Sequence, residues 1–166
     1  MSKVCWITGG GSGIGAELAK ILSKNSYIVF ISGRTKSKLS NIAKNNKSII
    51  PVAGDVSRLK DCKKIVDTIH KKFKIIDLVI LNAATYSPGS MENLNVKEIK
   101  KVVDINLMGV INCLSSVISE MKKNKRGQLM IVSSPAGYRG LPGAGIYGVT
   151  KSAVTFLAET IKLEYE

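Results

Sequence analysis

Short apolar runs and amphipathic stretches alternate along the chain. The runs KVCWIT (3–8), YIVFIS (27–32), SIIPVAG (48–54), DLVILNA (77–83) and QLMIVS (128–133) are nearly continuous in Val, Ile and Leu. A strand exposed on one side alternates polar with apolar residues, whereas an unbroken run fits a strand covered on both faces, as in a parallel sheet. Between the runs, the spacing predicts helices over 14–24, 36–46, 58–73, 96–123 and 147–165. The third sets Ile65, Val66, Ile69 and Phe73 on one side, with lysines opposite. The fourth carries Ile99, Val102, Val103, Leu107, Val110, Leu114, Val117 and Met121, a stripe wider than one core contact requires. Besides burial, such width points to a helix–helix interface with a second subunit. Strand–helix alternation with right-handed crossovers predicts one α/β domain over residues 1–166, a doubly wound parallel sheet with helices on both faces.

Composition agrees: 166 residues, 45% hydrophobic and 22% charged, suffice for one domain with a substantial core. No apolar run reaches membrane-spanning length and no basic leader precedes an apolar stretch, so the expected place is the cytoplasm, away from membranes. Cys5, Cys62 and Cys113 are odd in number and lack metal-ligand spacing, which predicts buried free thiols in a reducing compartment and no metal site. The one histidine, His70, stands beside Lys71 and Lys72 and is expected at the solvated surface. The net charge of +13 comes from lysines crowded into 36–47, 60–74, 97–101 and 122–126. On helices these lie opposite the apolar faces. Without interleaved aromatic residues or a recognition helix, nucleic-acid binding is the lesser reading, and the basic field better suits a small polyanion.

The candidate chemistry begins after the first strand, where TGGGSGIG (8–15) opens the first helix. Glycines let the backbone turn tightly and approach a pyrophosphate, and the helix N-terminus supplies free N–H groups. The spacing admits two registers, Gly11-x-Gly13-x-x-Ala16 and Gly9-x3-Gly13-x-Gly15, and the missing lysine after the last glycine excludes a P-loop. An acid after the second strand would hold the adenosine ribose of NAD. Here the strand runs into Arg34 instead, which is either a surface arginine or a partner for a 2′-phosphate, favouring NADP(H) over NAD(H). Asp55 and Val56 follow the third strand, with the carboxylate able to accept from an adenine amino group, and Asn82, Ala83 and Ala84 follow the fourth. Tyr147 and Lys151, four apart, share one helix face.

Taken together, these segments resemble the short-chain dehydrogenase/reductase family in its single-domain form. TGGGSGIG is similar to the family's cofactor loop (Thr8, Gly9, Gly11, Ser12, Gly13, Ile14 and Gly15), and GDV (54–56) to its adenine-contact segment. NAA (82–84) is similar to its Asn-Ala-Gly, with Ala84 in place of glycine. INLMG (105–109) resembles its asparagine-bearing helix, IVSSPAG its serine segment, and YGVTK its Tyr-x-x-x-Lys. The resemblance implies a Rossmann-like sheet of order 3-2-1-4-5 and an oxidoreductase that interconverts an alcohol and a carbonyl compound by hydride transfer. Tyr147 would be the general acid/base, Lys151 its electrostatic partner and ribose ligand, Ser134 rather than Ser133 the hydrogen bond to the substrate carbonyl, and Asn106 the support of a proton-relay water. A tyrosine near its ordinary pKa of about 10 must be lowered by about 2–3 pH units to work at neutrality, which a neighbouring ammonium favours. The broad apolar stripe on 96–123, by contrast, is what points to a homodimer or homotetramer.

Family members run to roughly 250 residues, so the resemblance leaves the sixth and seventh strands and the substrate lid unaccounted for. The favoured reading is that these 166 residues belong to a longer protein. A truncated, catalytically silent dinucleotide-binding protein and a fragment completed by oligomerisation are the alternatives. Either way QLMIVS is expected at the sheet edge.

Overall fold

The computed structural model describes residues 2–165. Strands β1 (Lys3–Thr8), β2 (Tyr27–Gly33), β3 (Ile49–Ala53), β4 (Leu78–Leu81) and β5 (Gln128–Ile131) form one parallel sheet in the order β3-β2-β1-β4-β5. Helices α1 (Gly13–Lys24), α2 (Lys36–Ala43), α3 (Leu59–His70), α4 (Val96–Val103), α5 (Gly109–Asn124) and α6 (Gly145–Tyr165) cover it.

The two-residue period of a strand assigns the core to two layers. On β1, Val4 and Trp6 join Phe30, Val79, Ile65, Ile69, Leu114 and Val117 beneath α3 and α5, while Cys5 and Ile7 join Val29, Ile31, Ala19 and Leu39 beneath α1 and α2. Each such side chain contributes about 1.5–3 kcal/mol on burial. The indole Nε1 of buried Trp6 donates to Ser32 Oγ at 2.9 Å, so its burial leaves no polar atom unpaired. Asp77 fastens the sheet's N-terminal end: it accepts from the Val4 amide at 2.8 Å and lies 2.6 Å from the Arg126 guanidinium, joining β1 to the segments before β4 and β5.

Burial on both faces, expected for all five strands, holds for β1, β2 and β4. The edge strands are less covered: Pro51 and Ala53 of β3 and Gln128 and Met130 of β5 are exposed. The helix expected over 96–123 is divided by a π-helical turn at Asp104–Met108. Of its apolar stripe, Val102, Val110, Leu114 and Val117 are buried within this chain and Ile99, Val103, Leu107 and Met121 are half-buried; the exposed apolar residues of the span are Val96, Met108 and Ile111. Val96–Asn124 is also long and apolar enough by composition to cross a membrane, contrary to the expectation that no run reaches that length. Its apolar side is instead spent on the sheet, through Val102, Val110, Leu114 and Val117. His70 departs from expectation too. Rather than standing in solvent, it is half-buried, with Nδ1 3.1 Å from Phe73 O and Nε2 2.6 Å from Glu120 of α5. The three cysteines are free and buried, and the fold brings two of them, Cys62 and Cys113, to 3.7 Å between sulfurs.

Candidate active site

Winding reverses at β1: β2 and β3 lie on one side, β4 and β5 on the other. Such a switch point leaves a crevice at the carboxyl ends of the strands, where the loops diverge. Buried Thr8 holds its floor. Its hydroxyl accepts from the amides of Asn82 and Ala83, both at 3.0 Å, and donates to Ile80 O at 3.4 Å. Asn82 answers with Nδ2, which donates to Thr8 O at 2.9 Å. Two glycines permit this close approach. Gly9 has φ +69° and a Cβ there would stand 2.9 Å from Ala83 Cα; at Gly15 it would stand 2.6 Å from both Gly9 O and Asn82 Nδ2.

The crevice has a volume of about 300 Å³. Gly9, Gly11, Ser12, Arg34, Asp55, Val56, Asn82, Ala83 and Ala84 line it; of the remaining loop residues, Thr8 and Gly15 brace it from below, Gly13 turns the chain into α1, and Ile14 is exposed on the helix's first turn. Ser12 makes no side-chain cap and no acid occupies the first turn of α1, so the helix presents uncapped N–H groups and the positive end of its dipole. The N-terminus of α2 is uncapped as well, free of acids, and flanked by Arg34, Lys36 and Lys38. By contrast, α4 is capped by Asn95, which accepts from the Lys97 and Glu98 amides. Arg34 is exposed and has no ion pair among the described residues. One oxygen of Asp55 accepts from the amide and hydroxyl of Ser57, at 3.0 and 2.8 Å, closing the turn after β3.

Along the same sheet edge lies a second group of residues. Tyr147 sits in the first turn of α6, and Lys151 follows one turn later, 4% exposed, with Nζ donating to Val132 O at 2.7 Å and standing 5.6 Å from the Tyr147 ring centre. Burial lowers the Lys151 pKa from its ordinary value. Asn106 projects from the π-helical turn and is 1% exposed. Its Oδ1 accepts from the Thr85 amide at 2.7 Å, while Nδ2 donates to Thr85 O at 2.9 Å and to Thr150 Oγ1 at 3.2 Å. The amide therefore ties the loop after β4 to α6 and keeps one acceptor lone pair unused. Ser133 and Ser134 diverge, as neighbours in extended chain must. Ser133 Oγ faces α6, 2.6 Å from Thr155 Oγ1, whereas Ser134 Oγ accepts from the Ala136 amide at 3.2 Å at the start of a 3₁₀ turn.

Three further residues belong to this arrangement. The Tyr86 ring meets Tyr147 edge-to-face at 5.1 Å, and its hydroxyl donates to Gly143 O at 3.2 Å. Thr150 anchors Asn106, and Lys38 lines the crevice beside Arg34. Lys38, in the first turn of α2, follows Arg34 by four residues, a spacing visible in the sequence. The Tyr86–Tyr147 contact joins segments 61 residues apart and has no local signal.

The family model described as short chain dehydrogenase matches residues 3–166. An uncharacterized oxidoreductase of Listeria monocytogenes is 32% identical over 167 residues, covering 98% of this chain and 67% of that protein. The 11-beta-hydroxysteroid dehydrogenase-like 4A of Arabidopsis thaliana is 30% identical, with 98% of this chain and 56% of that protein covered. Among solved structures, ElxO with NADP bound superposes with a TM-score of 0.94 at 29% identity, over 99% of this chain and 68% of ElxO. The apo form of LigO from Sphingobium superposes with a TM-score of 0.94 at 30% identity, over 98% and 63%.

Proposed function

The chain belongs to the short-chain dehydrogenase family, and from that premise we propose an NADP(H)-dependent oxidoreductase that interconverts an alcohol with a ketone or aldehyde. The observation that carries the reading is the buried Lys151 ammonium, held by Val132 O one helical turn from Tyr147, at the same sheet edge as the uncapped helix ends.

The crevice fits the cofactor. The amides of Gly11, Ser12, Gly13 and Ile14 would receive the pyrophosphate at the start of α1. Arg34, with Lys38 beside it, would take the 2′-phosphate, and Asp55 and Val56 the adenine. Asn82, Ala83, Ala84, Tyr147 and Lys151 would meet the nicotinamide ribose side. When bound, nicotinamide supplies or accepts the hydride. Everything else falls to this chain: Tyr147 Oη gives a proton to the carbonyl oxygen in reduction and takes it back in oxidation, and the positive charge of Lys151 favours the phenolate. Ser134 Oγ donates to the substrate oxygen as charge develops there. Asn106 holds the loop after β4 against α6, its unused lone pair turned to a relay water. The substrate is a small molecule bounded by loops 85–95 and 135–144. ElxO structures carrying NADP and NADPH support the choice of cofactor. Exposed Val149, Phe156 and Leu163 on α6 support assembly as a homodimer or homotetramer, and three free thiols fit a reducing compartment such as the cytoplasm.

The test is NADPH consumption against a panel of ketones and aldehydes by the wild type and Tyr147→Phe. The variant is expected to lose at least about a hundredfold in rate while NADPH affinity stays within a factor of about two. Undiminished turnover in the variant would refute the acid/base assignment. NADPH binding with no turnover in the wild type would instead favour a silent dinucleotide-binding protein.

A further inference from the structure

Cys62 of α3 and Cys113 of α5 are 0% and 1% exposed, and their sulfurs are 3.7 Å apart. They come from positions 51 residues apart, so only the packing of α3 on α5 brings them together. Cys62 Sγ also lies 3.6 Å from Val56 O, which accepts a second bond from Asn112 Nδ2 at 2.9 Å. A carbonyl cannot donate, so the Cys62 proton goes to Val56 O and Cys113 donates to Cys62. The result is a donor chain from Cys113 through Cys62 to the backbone turn of Val56. That turn lines the crevice. The dithiol thus stands directly behind the end assigned above to the adenine.

We infer that Cys62 and Cys113 form an oxidisable dithiol, a modification site for hydroperoxides, whose conversion to a disulfide weakens binding in the adjoining crevice. A sulfur–sulfur bond is about 2.05 Å long, so a small side-chain rotation on each helix closes the gap. Cys62 is the attacking thiol. The bond donated by Cys113 lowers its pKa, while the same interaction and burial raise that of Cys113. The Cys62 sulfur attacks the peroxide oxygen, breaking the O–O bond. This gives a sulfenic acid and an alcohol, the thiol proton going to the departing alkoxide. Cys113 then attacks the sulfenic sulfur and releases water. Two thiols lose two electrons and two protons, and one hydroperoxide is reduced. Burial makes the reaction slow and gated by local opening, and it protects the nascent sulfenic acid from a second equivalent of oxidant because the resolving thiol is already in contact. Oxidation also removes the Cys62 proton, and with it the bond to Val56 O. That loss couples the dithiol to the crevice.

The modification does not depend on the proposed activity; its effect on affinity rests on the NADP(H) reading. The folded protein is incubated with hydrogen peroxide, then denatured, alkylated with N-ethylmaleimide and weighed. Reduced protein takes three adducts. Oxidised protein is expected lighter by two hydrogen atoms before alkylation, to take one adduct, on Cys5, and to yield a peptide joining Cys62 to Cys113; Cys113→Ser abolishes the change and Cys5→Ser does not. Cys5 is the internal control, because burial alone pushes its thiol up to about 12. Three adducts after prolonged treatment, oxygen added without a crosslink, or a bond to Cys5 or to another chain would overturn the site. The oxidised form is expected to bind NADPH about fivefold more weakly or worse, a coupling typical of linked sites. Equal affinity in both forms would overturn the link to the crevice. If the reduced protein binds no NADPH, the cofactor reading has failed, and the mass measurement still decides the dithiol.

Discussion

The crevice around β1 and the cluster about Tyr147 on α6 are built in opposite ways. Backbone groups make the first: turn amides, two glycines without side chains and uncapped helix ends, held by the Thr8 hydroxyl and Asn82. Side chains from distant segments make the second, with Asn106 reaching Thr85 and Thr150, Tyr86 against Tyr147, and Lys151 on Val132 O. Such a crevice is sensitive to any added atom and indifferent to charge changes elsewhere. The Tyr147 cluster should fail when one functional group is removed. The two regions are therefore expected to fail separately.

The largest effect is expected at Lys151. Lys151→Met removes the ammonium beside Tyr147 and leaves Val132 O without its donor, so carbonyl reduction should fall by about a hundredfold or more, with a much smaller loss of NADPH affinity measured by fluorescence. Equal losses in rate and affinity would erase the distinction between the regions. Arg34→Leu probes the other side. Loss of a charge-assisted contact costs about 1.5–3 kcal/mol, so NADPH affinity should drop roughly ten- to hundredfold while NADH affinity and the rate at saturating cofactor hold steady. Next, Gly15→Ala forces a methyl against Gly9 O and Asn82 Nδ2, an overpacking that costs about 1–3 kcal/mol. Its signature is lower thermal stability together with weaker NADPH binding, and an unchanged melting curve would contradict the close approach.

An effect of similar size concerns alkaline stability. Burial pushes Cys5 from 9.0 up to about 12. A raised pKa means that the folded chain keeps a proton which the unfolded chain releases above pH 9. This contribution is intact below pH 9 and is lost as pH climbs toward 12. At pH 10.5 the loss is about 2 kcal/mol, or roughly 5 °C in Tm. Cys113 moves in the same direction and Lys151 in the opposite one, so the comparison is wild type against Cys5→Val, melted at pH 8 and 10.5. The variant should lose less.

What the sequence made legible follows the same division. The strand runs, the glycine loop and the Arg34 position are local patterns, and five parallel strands in the order 3-2-1-4-5 follow from them and from the family resemblance. Tyr147 and Lys151 were readable because one helix turn sets their spacing. Asn106 was readable as a motif, although its setting in a π-helical turn was not, since the periodicity of 96–123 fits an uninterrupted helix. His70 looked solvated beside two lysines, because nothing local announces Glu120 on the next helix but one. Tyr86 and the Cys62–Cys113 pair stayed hidden for the same reason: each depends on two helices or loops meeting, and contact across that distance leaves no period in the chain.

A paired titration of the wild-type protein with NADPH and NADH bears most directly on the crevice as a site for a phosphorylated dinucleotide. NADPH is expected to bind at least about tenfold more tightly, as a cationic contact to the 2′-phosphate requires. Equal affinities, or binding of neither, would contradict it.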